Sequence, residues 1–204
     1  MERGYAEKSA LALVGNRHRL NARQQKAVLN MSAAFTKAEA RKKRSLQITE
    51  LRNETLVLDG FNVLILLESL LSGAYIFRGR DGFYRDLSSV HGTYKKVQQT
   101  AGALDIVAEL HKNAGPAKLC WLFDKPVSNS GRLKKMTEDL AEAHGLNWEA
   151  ELVYNVDREL INRNLITISS DAWVLDHVDR NFNLIGYVIE KEEGMRDSVF
   201  DVNP

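Results

Sequence analysis

Three aspartates in this chain each close a short apolar run. Asp59 follows Thr55-Leu-Val-Leu58, Asp124 follows residues 117–123, and Asp171 follows residues 165–169 with Ser170 between. Runs of this kind, with no polar interruption, read as buried parallel strands. In open parallel sheets, ligands bind beyond the carboxyl ends of the strands. If the three strands are neighbours, their aspartates converge on one sheet edge. Ionised carboxylates brought together repel strongly, so such a cluster needs either a cation or partial protonation. Oxygen-only ligands suit hard ions such as Mg²⁺ or Mn²⁺. These ions activate water and offset charge on a phosphate under attack. The competing reading is that each aspartate simply caps the helix that follows it.

The elements that must position these residues alternate along the chain. After strand 55–58 the pattern predicts a helix over 61–72, apolar nearly all round, closed by Gly73. A hairpin is expected over 74–86, with Asp81-Gly82 as its turn. A long amphipathic helix is expected over 94–113, then strand 117–123, helix 133–144 and strand 148–154. Helix 157–163, strand 165–169, helix 172–180 and a last strand 183–189 complete the alternation. This order predicts an α/β domain, a mostly parallel sheet with helices on both faces.

Residues 1–52 read as helical throughout. A run over 7–14 is closed by Gly15, a good residue to end a helix. Asn21 with Gln24, and Thr36 with Glu39, form capping-box patterns at the next two helix starts. This segment carries 12 Lys+Arg against 4 Asp+Glu, a balance of +8, while residues 53–204 sum to −7. The expected organisation is a basic helical domain, 1–52, ahead of an acidic α/β domain, 53–204. Basic residues meet phosphates and acidic ones hold metal. Equally, the cationic run 41–44 reads as a solvated helix end or a docking surface for the acidic domain.

Val57-Leu-Asp59-Gly-Phe-Asn62, Leu122-Phe-Asp124 and Ile168-Ser-Ser-Asp171 resemble, in the same order, the three acidic motifs of PIN-like and NYN-type nucleases. Further signatures extend the resemblance over nearly the whole chain. They are Val14-Gly-Asn-Arg17 with Leu20, Asp59-Gly-Phe-Asn-Val-Leu-Ile65 with Glu68, Asp81-Gly-Phe-Tyr-Arg-Asp86, His91-Gly92, and Ser128 with Ser130-Gly131. They are similar to an uncharacterised, largely archaeal family that pairs a helical N-terminal domain with a PIN-like C-terminal one.

The resemblance implies a nuclease-type pocket with Asp59, Asp124 and Asp171 as primary metal ligands and catalytic groups. Asn62 either orients Asp59 and binds phosphate, or makes a helix-start hydrogen bond. Glu68, Asp86 and Asp176 extend the acidic set, with a paired buried acid, a turn residue and a solvated carboxylate as their plainer readings. Ser170 precedes the metal-proximal Asp171. Ser128 and Ser130 lie before a helix whose amides can receive a phosphate. Arg85, Lys125 and Lys134 are placed to lead a nucleic-acid backbone inward, or are solvated surface. Asn16 and Arg17, expected in a loop after Gly15, contact phosphate or dock the helical domain.

Other chemistries find no support. The chain has no G-x-x-x-x-G-K-[ST] loop, no G-x-G-x-x-G after a strand and no G-x-S-x-G elbow. The five histidines and Cys120 show no zinc spacing. One cysteine allows no internal disulfide and fits a reducing, cytoplasmic setting. No signal peptide is evident, and the apolar stretch 63–71 is too short for a membrane span. The expectation is a Mg²⁺- or Mn²⁺-dependent nuclease acting on RNA. The alternatives are a catalytically silent RNA- or ribonucleoprotein-binding module and a phosphatase acting on small phosphoesters. A homodimer stays open.

Overall fold

The computed structural model describes residues 5–86 and 99–201. The sequence signature at His91-Gly92 and the start of the helix expected from residue 94 lie outside them. Four parallel strands, β1 (Thr55–Asp59), β4 (Lys118–Asp124), β5 (Trp148–Val153) and β6 (Ile166–Ile168), form the main sheet in the order β5-β4-β1-β6. Thr55 pairs with Lys118 and Leu56 with Ile166, so β1 sits between β4 and β6. The three aspartate-ending strands are therefore adjacent.

Strand alternation sorts the core into two layers. Leu56, Leu58, Leu119, Trp121 and Phe123 face one side, against helices α4 (Gly60–Leu71), α5 (Thr100–Ala114) and α9 (Leu184–Lys191). Val57, Cys120 and Leu122 face the other, against α7 (Val156–Arg163) and α8 (Ala172–His177). Helix α6 (Ser130–His144) covers β5 and ends on Gly145, whose φ of 63° needs no Cβ.

Residues 183–189 are not a strand. Asn183 accepts a hydrogen bond from the Gly186 amide at 3.0 Å and caps α9. Its apolar residues bury Leu184, Ile185, Val188 and Ile189 on one face. A short apolar run fits either period, and here the cap decides for helix. The hairpin does form, as β2 (Ile76–Arg78) and β3 (Tyr84–Arg85). It belongs to a second, smaller sheet with β7 (Val199–Asp201), ordered β3-β2-β7.

Among the described residues, three α-helices precede the sheet: α1 (Glu7–Arg17), α2 (Ala22–Met31) and α3 (Phe35–Lys43). The Asn21/Gln24 capping box is formed, at 2.9 and 3.0 Å. Thr36 does not cap α3, whose N-cap is Ala34, two residues earlier. Gly15 does not end α1 either. It is buried within the helix, where the Gln25 side chain lies 2.7 Å from where a Cβ would be. The chain turns instead at Arg19, with φ of 50°.

The helical segment is joined to the sheet by backbone. The Leu46 amide donates to the Asn181 carbonyl at 2.8 Å and the Asn181 amide to the Arg44 carbonyl at 3.0 Å. Residues 180–182 in turn bond Thr167 of β6. Arg44 reaches the carbonyls of Leu175, Asp176 and Val178 at the end of α8. Part of the cationic run 41–44 is thus docking surface. Among the described residues, no helix is long and apolar enough to cross a membrane.

Candidate functional site at the sheet edge

β1 stops at Asp59 because the next residue, Gly60, lets the chain turn directly into α4 against the sheet. A Cβ there would lie 2.4 Å from the Phe123 ring and 2.8 Å from the Leu122 carbonyl oxygen. Asp59 caps α4: its Oδ1 accepts from the Asn62 amide at 3.3 Å. Its Oδ2 accepts from the Ser169 hydroxyl at 3.0 Å. Ser169 Oγ also accepts the Asp171 amide, at 3.1 Å. Asn62 Oδ1 accepts the Ser170 amide at 2.8 Å. Two of these four bonds, Ser169 to Asp59 and Ser170 to Asn62, staple together turns from distant parts of the chain. Asp171 then caps α8 through the Trp173 and Val174 amides, at 2.8 and 3.0 Å.

Asp124 ends β4 and accepts a backbone hydrogen bond from Val156, the first residue of α7. The next residue of that helix, Asp157, turns the site into a set of four. Burial, followed by hydrogen bonding from Ser169 and Asn62 that only partly offsets it, and by the charges of Asp157 and Asp124, pushes the Asp59 carboxyl up to about 7. Burial also raises Asp124. Asp157 is raised by desolvation and by the nearby charges of Asp171 and Asp124. Among the described residues, none of the four is ion-paired to Lys or Arg.

Two other acids show what neutralisation looks like. Asp81, 1% exposed, would be raised by burial, but hydrogen bonds and charge from Arg85 and Arg41 hold it below the usual carboxylate range. Arg41 Nη1 and Arg85 Nη2 each lie 2.6 Å from its Oδ2. Burial likewise acts on Asp176, and Lys37 and Arg41 overcome it, at 2.6 and 2.7 Å.

The sequence-predicted residues therefore part company. Asp59, Asp124, Asp171, Asn62 and Ser170 all lie at the carboxyl ends of β4, β1 and β6. Asp176 turns to the N-terminal helices instead. Glu68 is buried on α4 and accepts the Thr100 hydroxyl at 2.6 Å, facing α5 rather than the cup. Arg85 is committed to Asp81 and to the Ser170 carbonyl, at 3.0 Å. Asp86 lines the neighbouring cleft. Lys125 lies over the Tyr154 ring, 4.9 Å from its centroid. Ser128 is exposed on the loop after Asp124. Ser130 is buried and donates to the Lys125 carbonyl, and Lys134 pairs with Glu138. Asn16 and Arg17 lie in the exposed last turn of α1, not in a loop.

Asp157 and Ser169 are the members that sequence reasoning missed. Asp157 looks like an ordinary first-turn helix acid. Ser169 is hidden behind Ser170 in the Ser-Ser-Asp run.

A cleft of about 630 Å³ opens beside Asp171, between the N-terminal helices and the sheet body. Asn62, Asp86 and Trp173 line it on the body side, and Asn30, Ser32 and Lys37 on the other.

The four carboxylates offer an all-oxygen donor set. Each Asp59 oxygen accepts one hydrogen bond, which leaves lone pairs for a ligand. As the side chains stand, they do not close on one point: among the described residues, no group of three His, Cys, Asp or Glu side chains is placed to hold a metal ion.

Comparison with known proteins places these features in a family. A family model described as a domain of unknown function (DUF5616) matches residues 48–187. A second, described as a protein of unknown function (DUF434), matches residues 1–44. An uncharacterized protein of Methanocaldococcus jannaschii is 29% identical over 191 residues, covering 93% of this chain and 91% of the relative. No solved structure matches the chain.

Proposed function

The chain belongs to the family described as a domain of unknown function (DUF5616), and we propose that its sheet edge is a PIN-like nuclease site that hydrolyses phosphodiester bonds in RNA. The observation that carries this reading is the contrast between two kinds of acid. Asp81 and Asp176 are matched by arginine and lysine, whereas Asp59, Asp124, Asp157 and Asp171 share one sheet edge without a cationic partner among the described residues. A fold that leaves repelling carboxylates unmatched at a ligand-binding edge is the pattern of a functional site.

The donor chemistry suits Mg²⁺ or Mn²⁺, which Asp59, Asp124, Asp157 and Asp171 would hold. Such an ion, when bound, lowers the pKa of a coordinated water and offsets charge on the non-bridging phosphate oxygens. The protein's own part is positioning. Ser169 and the Asn62 amide fix the two oxygens of Asp59. Asn62 spends its Oδ1 on Ser170 and keeps its Nδ2 donors for a phosphate oxygen. RNA is preferred because PIN-like domains more often act on it.

The test is incubation with labelled single-stranded RNA and Mn²⁺, alongside an Asp59→Asn, Asp171→Asn double variant. Cleavage by the wild type alone is expected. A second reading rests on a specific observation: Asp59, Asp124 and Asp171 already accept backbone amides, and the side chains do not converge as placed. On that reading the domain is a silent RNA-binding module. Binding of RNA by both proteins with cleavage by neither would select it and sink the nuclease.

A further inference from the structure

The acidic edge is bracketed by two exposed aromatic side chains. Tyr154, directly after β5, is 76% exposed, and Trp173, in the first turn of α8, is 48% exposed. The strand order puts β5 at one margin of the sheet and β6 at the other, with Asp124 and Asp59 on the strands between. Tyr154 follows the first of these margins, and Trp173 stands on the helix that follows the second.

Each ring has a partner that limits its motion. Lys125 lies over Tyr154, 4.9 Å from the ring centroid. His177 lies 4.7 Å from Trp173, centroid to centroid, and its Nδ1 is 2.7 Å from the Trp173 carbonyl oxygen. Single exposed aromatics are common on protein surfaces. Two at opposite ends of one ligand-binding edge, one under a lysine and the other on the wall of a cleft, ask for a ligand with flat apolar faces and a charged backbone.

We infer that Trp173 and Tyr154 are base-stacking platforms, and that the site takes an unpaired, extended nucleic-acid strand laid across the sheet edge. This rests on the nucleic-acid reading above and specifies its substrate class. Paired bases cannot meet the rings, because their faces are already stacked inside the helix. An unpaired strand presents both. With a base on each ring, the intervening backbone passes over Asp124 and Asp59, where the chemistry would occur. Lys125 beside Tyr154 supplies charge for a phosphate at that end, and the contact is sequence-tolerant because every base has a π-face.

The test uses the full chain in EDTA, which separates binding from turnover. The probes are a single-stranded oligoribonucleotide and the same strand annealed to its complement, followed by anisotropy and tryptophan emission. Trp121 is fully buried, and Trp148 is hydrogen-bonded to His111, so quenching on binding reports Trp173. Expected results are tighter binding of the single strand, quenched emission, and a loss of about 5- to 150-fold in affinity for Trp173→Ala or Tyr154→Ala, the range of base–aromatic stacking. Trp173→Phe should keep the affinity within a few-fold while losing the quenching.

Equal binding of the duplex, alanine variants that bind like wild type, unquenched emission, or no binding of either probe would each overturn the inference. Stacking without any Mn²⁺-dependent cleavage would sink the nuclease alone. Cleavage with unchanged KM in both alanine variants would sink the platforms alone.

Discussion

Ser169 and Asp59 lie 110 residues apart in sequence and 3.0 Å apart in space, the hydroxyl donating to the carboxylate. The same Ser169 oxygen accepts the Asp171 amide. One buried atom therefore sets the distance between the ends of β1 and β6, and with it the spacing of two aspartates.

Ser169→Ala removes the donor and leaves a buried carboxylate oxygen short of a partner. The expected loss is about 1–3 kcal/mol where Asp59 is ionised. Below its pKa of about 7 the bond is neutral to neutral and weaker. Denaturant unfolding at pH 8 and pH 5 checks this. An equal loss at both pH values would remove the charge-assisted role.

Asp59 gives the metal-free protein a distinctive pH dependence. Its folded pKa of about 7 lies above the unfolded value of about 3.9, so between those limits the folded state holds more protons than the unfolded one. Its contribution to stability is therefore full below about pH 3.9 and declines as pH rises through about 7. In EDTA, Asp59→Asn should overtake wild type as pH rises over this window, and the difference between the two unfolding curves is the measurement. A variant that loses stability relative to wild type as pH rises would contradict the sign.

On the proposed metal reading, Mn²⁺ at a hundred times its Kd should stabilise the wild type by about 2.7 kcal/mol, the value for a ligand that binds only the folded state. Asp124→Asn and Asp157→Asn should each reduce the thermal shift, while Glu68→Gln should leave it. A shift that persists in the Asp157 variant would take that residue out of the cup.

Arg41 is 5% exposed and serves Asp81 and Asp176 at once. Arg41→Ala strands part of that buried charge and should cost about 3–5 kcal/mol. It should also speed proteolytic cutting between residues 44 and 48, since α3 keeps Lys37 and Arg44 but loses its buried anchor. Unfolding and limited proteolysis on one sample test both.

Two glycines separate rigid from yielding contacts. Gly60→Ala drives a methyl against the Phe123 ring and a backbone carbonyl, at 2.4 and 2.8 Å, and should cost about 1–3 kcal/mol. Gly15→Ala meets only the end of the Gln25 side chain, which can swing away, and should cost far less. The reverse order in thermal unfolding would refute the packing described at the start of α4.

The main sheet was legible because its strands are uninterrupted apolar runs, and their terminal aspartates stand out against them. The misreading of α9 has a physical cause: its run of Leu, Ile, Tyr and Val satisfies strand composition, and only the Asn183 cap and burial on a single face make it helical. Asp81 reads as an exposed turn residue, and nothing local reveals that Arg41, forty residues earlier, reaches it. Asp157 was invisible for the same reason. Its place in the cup comes from α7 crossing the ends of β1 and β4, a tertiary fact with no local trace.

The backbone ladder running from Thr167 through Asn181 to Leu46 has a practical corollary. A body cut loose at residue 47 would keep residues 180–182 over β6 but leave the Asn181 amide and carbonyl without their partners, and would leave Asp81 and Asp176 without Arg41. The leading helices are the selvedge of this body, so anyone dissecting the chain into two pieces should expect a less stable larger one, short of two backbone bonds and of the cation shared by Asp81 and Asp176.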